Sequence, residues 1–213
     1  MSNVLILGAA GKIARLAEQQ LLAETKAKLT LFLRQSQRLG TVDASRVQVI
    51  DGDATNQAQL VSAMDGQDIV YANLAGANIE EQATKVVAAM QQTDVKRLLW
   101  ISTLGIYDEV PGAFGKWNHQ MLDGGYLQTY AAAAKVIEAS DLDYTIIRPA
   151  WLSNKDEVKF ETTEKGEHFK GTEVSRKSVA DLVTKLIQKP DQEIRHSIGV
   201  NKPNTAGDKP EWY

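Results

Sequence analysis

The stretch that most constrains this chain is Val4-Leu5-Ile6-Leu7-Gly8-Ala9-Ala10-Gly11-Lys12-Ile13-Ala14, an apolar strand that passes through a glycine-bearing turn directly into a helix. An unbroken apolar run with a β-branched start suits a strand buried on both faces of a parallel sheet. Gly8 permits a turn that a side chain would obstruct, and Gly11 lets the backbone approach a ligand closely. From Ile13 onward Ala17 and Leu21 recur at helical spacing, so the helix opens at or near Gly11 with its unpaired N–H groups aimed at the turn. Those donors and the positive end of the helix dipole form a site for a pyrophosphate. Ala14 stands where a third glycine is usual, and is small enough for close helix–strand packing. Taken alone, the same spacing also fits a tight turn with no ligand.

At 213 residues the chain suits one α/β domain with a full core. Residues 150–175 and 190–213 are expected to add a small substrate-side portion. Hydrophobic residues make up 43% and charged residues 24%, the proportions of a globular protein. No apolar run approaches the ~20 residues that span a bilayer, and no signal-like segment opens the sequence, so a cytoplasmic protein without a membrane partner is expected. The absence of cysteine excludes disulfides, a thiolate nucleophile and thiolate-bound metal. A net charge of −3 argues against a broad nucleic-acid surface. His119, His168 and His196 stand far apart and read as surface or core residues, so no metal site is expected.

Residues 29–33 form the second strand and end at Arg34. The residue at this point faces the adenosine ribose in a dinucleotide site. An acid there would accept the 2′-hydroxyl and repel a phosphate, whereas Arg34, followed by Arg38, points to NADP(H), with Lys12 close enough to assist. Residues 46–50 form a third strand, after which Asn56 can cap a helix over 57–64. Asp53 is placed to accept from the adenine amino group while the backbone at Ala54 reads the ring, although a solvated turn aspartate fits equally. A fourth strand over 68–73 closes with Leu74-Ala75-Gly76, small enough for the backbone to run beside the cofactor. A helix over 79–92 buries Ala83, Val86, Val87 and Met90.

The fifth strand, 97–102, ends at Ser102 and Thr103, hydroxyls that either hold a substrate carbonyl beside the nicotinamide or simply finish the strand. Residues 108–123 read as a long loop carrying Trp117, a candidate lid or substrate wall. A helix over 126–139 puts Tyr126 and Tyr130 on one stripe, where both can face the cleft or serve as core aromatics. The sixth strand ends at Pro149, which stops regular pairing and can wall off the nicotinamide. A strand over 158–163, a helix capped at Ser178 and a last strand over 193–199 follow.

With these pieces in order, the chain resembles an atypical short-chain dehydrogenase/reductase of the small NAD(P)H-binding, NmrA-like group that includes NADH-flavin reductases. The resemblance covers about the whole chain. It rests on Gly8-Ala9-Ala10-Gly11-Lys12-Ile13-Ala14, Asp53-Ala54, Asn73-Leu74-Ala75-Gly76, Ile101-Ser102-Thr103 and, most distinctively, Leu142-Asp143-Tyr144-Thr145-Ile146-Ile147-Arg148-Pro149. It implies an α/β fold of Rossmann type, a doubly wound parallel sheet with a small C-terminal substrate-side subdomain and NADP(H) across its carboxyl edge. The cofactor residues would be Gly8, Ala10, Gly11, Lys12, Ile13, Arg34, Asp53, Ala54, Leu74, Ala75, Gly76 and Pro149. The superfamily's catalytic Ser/Thr falls on Thr103 with Ser102 beside it, and its Tyr falls on Tyr126. Its Lys position is occupied by Tyr130, and a second tyrosine supplies no charge to lower a phenol's pKa of about 10.

Flavin or quinone reduction depends least on that lysine, because the acceptor's own nitrogen or oxygen can take a proton from water. The expected function is therefore NADPH-dependent reduction of a flat conjugated small-molecule acceptor, by a monomer or homodimer, with Trp117 or Trp151 stacking on the acceptor. A non-catalytic NADP(H)-sensing regulator is the alternative. A nucleotide-sugar epimerase or dehydratase ranks behind both, because the region after Pro149 is short for a sugar-nucleotide subdomain.

Overall fold

The computed structural model of the chain describes residues 2–122 and 124–213. The opening apolar run forms β1 (Asn3–Leu7), whose side chains divide between two hydrophobic clusters, Val4 and Ile6 in one, Leu5 and Leu7 in the other. Burial on both faces is why the strand is continuously apolar. α1 (Lys12–Glu24) leads to β2 (Lys28–Leu33), and a 3-10 turn at Ser36–Leu39 to β3 (Val47–Asp51). α2 (Gln57–Met64), β4 (Ile69–Ala72), α3 (Ile79–Thr93) and β5 (Arg97–Ile101) follow. The chain continues through α4 (Gly112–Met121), α5 (Tyr126–Glu138), β6 (Asp143–Pro149), β7 (Trp151–Ser153) and β8 (Glu161–Thr163). It ends with β9 (Glu173–Ser175), α6 (Arg176–Gln188) and β10 (His196–Asn201).

Eight strands form one sheet in the order β3-β2-β1-β4-β5-β6-β10-β8, parallel throughout except for β8 against β10. α1 packs on α6, and α3 packs between α2 and α5. This is a doubly wound α/β fold of Rossmann type, as expected. The strand order reverses between β1 and β4, so the loops leaving their carboxyl ends part and open a crevice there. Among the described residues no helix is long and apolar enough to cross a membrane.

Four local expectations change. Most of the supposed loop over 108–123 is α4, in which Phe114, Gly115 and Asn118 are buried; Asp123, its last residue, lies outside the described residues. Pro149 does not end pairing: it lies opposite Val200, and its carbonyl accepts from Leu104 N at 3.2 Å. The strand expected over 158–163 shortens to β8 and joins the main sheet beside β10. The helix expected at Ser178 starts earlier, with Ser175 as its cap and the Ser178 amide donating to Ser175 Oγ at 3.0 Å.

Candidate functional site

The crevice between β1 and β4 brings together Gly8, Ala10, Gly11, Arg34, Asp53, Ala54, Leu74 and Ala75. Phe32, Arg38, Gly52, Asn73, Asn78 and Gln82 also line it. Three expected cofactor residues are not among those lining it: Ile13 packs in the core, Pro149 lines a second cleft, and Lys12 lines a third with Arg15 and Arg176, although Lys12 and Ile13 still supply the first backbone amides of α1. Gly76 follows Ala75 with φ +124° and is not among the lining residues. At the turn, Gly11 N donates to Gly8 O at 2.9 Å, while no side chain caps α1 and no acid stands in its first turn. That end of α1 therefore offers its amide donors to the crevice.

Both glycines are needed by a neighbour, Asn73. Gly8 has φ +72°, and a Cβ on it would lie 2.3 Å from the carbonyl oxygen of Asn73. A Cβ on Gly11 would lie 1.9 Å from Asn73 Nδ2, so Gly11 makes room for the amide that follows β4.

At the far end of the crevice the Arg34 side chain is 77% exposed, with Nη1 3.8 Å from Asp53 Oδ2. Asp53 Oδ1 accepts from Thr55 N at 2.9 Å and Thr55 Oγ1 at 2.8 Å. These bonds, with a smaller pull from Arg34, hold its carboxyl below the ordinary value. One oxygen of Asp53 is thus engaged by Thr55, and the other faces Arg34.

The second cleft lies at the carboxyl ends of β5 and β6, lined by Ser102, Thr103, Leu104, Tyr126, Pro149, Trp151, Arg176, Trp212 and Tyr213, among others. Ser102 N donates to Ile147 O at 2.7 Å, pinning the end of β5 to β6. Ser102 is 7% exposed, and its Oγ has no hydrogen-bond partner among the described residues. Tyr126 sits at the mouth, half-exposed, but Tyr130 does not join it. Tyr130 is buried in the core, its ring stacked against that of Tyr126 at 4.4 Å. Desolvation first, and then Tyr130, push the Tyr126 phenol above its ordinary value. That is opposite to the effect of a neighbouring lysine.

Trp151 forms an aromatic wall. Its Nε1 donates to Asn118 Oδ1 at 2.9 Å, and Trp117 and Tyr213 pack on its ring at 4.7 and 5.3 Å. Trp117 is not among the lining residues and supports Trp151. Nearby, Arg148 and Glu109 form a fully buried ion pair. Glu109 also accepts from Gly105 N and Tyr107 N, each at 3.0 Å, tying the segment after β5 to β6. Sequence reasoning missed Glu109, Asn118, Arg176, Trp212 and Tyr213. The only available hint was an aromatic pair closing an otherwise polar tail.

With a crevice at the strand-order reversal, uncapped amides at its turn and arginines at its far end, the donor set fits a dinucleotide. Residues 8–190 match the family described as NAD(P)H-binding. The chain belongs to that NAD(P)H-binding family. It is 47% identical to a Rossmann-fold NAD(P)-binding family protein from Shigella flexneri, with 99% of this chain and 98% of that one covered and a TM-score of 0.86. A short-chain dehydrogenase/reductase from Veillonella parvula, solved in complex with NADP, is 32% identical, with 99% of each chain covered and a TM-score of 0.93. The UPF0659 protein YMR090W of Saccharomyces cerevisiae is 24% identical over 97% of this chain and 96% of its own length.

In this NAD(P)H-binding chain, His196 is less isolated than its sequence position suggests. Its ring lies with Glu164 and Glu193 in an exposed group whose ligand atoms fall within 4.8 Å of one another. Glu193 pairs with it at i,i+3, and Glu164 comes from the far side of the 32-residue interval.

Proposed function

We propose that the protein is an NADPH-dependent reductase of a flat conjugated acceptor, a flavin or a quinone. The observation that carries this reading is Ser102 Oγ, buried without a partner in an aromatic-walled cleft at the carboxyl end of β5. A buried hydroxyl with no partner is a standing cost of about 1–3 kcal/mol, which an acceptor carbonyl or ring nitrogen relieves. The amides at the mouth of α1 hold the diphosphate, and Arg34 and Arg38 meet the 2′-phosphate. The similar Veillonella protein, crystallised with NADP, supports that choice of dinucleotide. When bound, the reduced nicotinamide supplies a hydride. Ser102 and Thr103 orient the acceptor by hydrogen bonds, Trp151 stacks on one face of its ring, and the acceptor takes its proton from solvent at the open edge of the cleft. Tyr126, with its phenol pKa raised, is an orienting group rather than the proton source.

The test is loss of NADPH absorbance with a panel of flavins and quinones. Saturable turnover that falls about tenfold or more in Ser102→Ala, the loss expected for one hydrogen bond of about 1.4 kcal/mol, supports the reductase. Tight NADPH binding with no turnover of any acceptor would defeat it. That outcome leaves the sensor, a reading favoured by Tyr130, which stands at the lysine position and is packed into the core.

A further inference from the structure

A third cleft lies between the two already described, sharing Ala10 with the crevice at the turn and Arg176 with the aromatic-walled cleft. Lys12, Arg15, Lys155, Arg176 and Lys177 line it, against a single acid, Asp156. Two helix N-termini meet there. α1 begins at Lys12 with Arg15 one turn on, α6 begins with Arg176 and Lys177, and neither helix has an acid in its first turn. Cations at that end of a helix oppose its dipole; at α1 the diphosphate offsets this, whereas at α6, capped only by the neutral Ser175 hydroxyl, an anion beside Arg176 would do so.

Three of these cations have carboxylate partners: Arg15 with Glu18 at 2.6 Å, Lys177 with Asp156 at 2.6 Å, and Lys155 with Glu173 and Glu211 at 3.2 and 2.6 Å. Lys12 and Arg176 have none among the described residues. Arg176 directs Nη1 to Leu152 O at 3.0 Å and Asn154 Oδ1 at 2.9 Å, which leaves Nε and Nη2 to donate. Arg176 also lines the cleft that Ser102 lines, and it does not line the turn crevice.

We infer that the acceptor carries an anionic arm, a phosphate or a carboxylate, held by Arg176 and Lys12 while its ring occupies the aromatic-walled cleft. This rests on the reductase reading above and narrows its substrate class to acceptors with a negatively charged substituent. Because Arg176 is shared between the ring's cleft and the basic one, ring and arm are held by one continuous surface.

The test uses matched pairs on protein saturated with NADP+, so that no probe enters the dinucleotide site: riboflavin 5′-phosphate against riboflavin, and anthraquinone-2-carboxylate against its carboxamide. The first pair reads a phosphate arm and the second a carboxylate. Dissociation constants from calorimetry should favour the anionic member of at least one pair by about tenfold, the scale of one charge-assisted hydrogen bond. Arg176→Ala should bring that ratio close to one, and Arg176→Lys should keep part of it. Lys12 is exposed, and Lys12→Gln should lower the ratio without bearing on folding, which keeps the idea open to failure if Arg176→Ala folds poorly. Equal affinities within both pairs would overturn the inference and leave the reductase standing. So would a preference untouched by both Arg176→Ala and Lys12→Gln, or a Lys12→Gln protein whose only loss is NADP+ affinity. Absence of binding by every ring would overturn the reductase reading and this one with it.

Discussion

Gly8 and Gly11 answer to the same neighbour, Asn73, but through different atoms, and the difference is measurable. The Cβ of Gly11→Ala meets a side-chain amide that can swing away, whereas that of Gly8→Ala meets a backbone carbonyl, and Gly8 also has positive φ. Gly11→Ala should therefore recover most of its lost stability when combined with Asn73→Ala. Gly8→Ala should lose about 2 kcal/mol or more and gain nothing from that partner change; urea unfolding of the four variants decides the matter. At the other end of the crevice, Arg34→Glu should weaken NADPH about tenfold or more, as loss of a charge-assisted contact would. NADH should change little, and equal losses in fluorescence titrations would show that Arg34 does not meet the 2′-phosphate. Glu18 supplies the pH prediction. Burial raises its carboxyl above the ordinary 4.5, with Arg15 only partly opposing the shift. The folded state then holds that proton more tightly than the unfolded state, so stability is lost as pH rises through the raised value. Glu18→Gln should accordingly melt higher than the parent at neutral pH, with the gap closing as pH falls below the ordinary carboxylate range.

At the scale of elements, Glu109 and Arg148 join the segment after β5 to the strand beside it, with both side chains removed from water. Glu109→Ala leaves a guanidinium buried without its counter-charge and should cost about 3–5 kcal/mol. Glu109→Met combined with Arg148→Met should cost less than Glu109→Ala alone, as read by thermal unfolding. The same pair shows where sequence reading stops. β1, the turn and α1 were legible because the glycines, the apolar run and the helix they serve are consecutive. α4 was hidden by its own glycines, since Gly115 must lack a Cβ that would stand 2.1 Å from Val110 O, and glycine weakens a helix signal. Ser175 and Ser178 offer the same capping hydroxyl three residues apart, and only the path of β9 selects the first. Tyr130 was ambiguous because i,i+4 neighbours share a face, while the depth of that face depends on what packs beneath it. The aromatic-walled cleft was the least legible part. Arg176, Trp212 and Tyr213 reach Ser102 from more than seventy residues away in sequence, and no local pattern marks such a meeting.

Across the whole molecule, the clefts follow the carboxyl edge of one sheet, so the fold supplies a common floor and the loops supply the chemistry. Occupying the turn crevice should stabilise the entire chain. NADPH at about 100 times its dissociation constant should add about 2.7 kcal/mol to unfolding, and a melting temperature indifferent to the dinucleotide would mean that the crevice does not hold it. Trp151 and Trp212 line the second cleft, Trp117 backs it, and Trp100 is the fourth indole, buried within the core. Most of the ultraviolet emission therefore originates beside the place where a coloured acceptor would lie. The chain carries its own optical gauge, and quenching of that glow by successive candidate molecules would sort ligands from bystanders without any label attached.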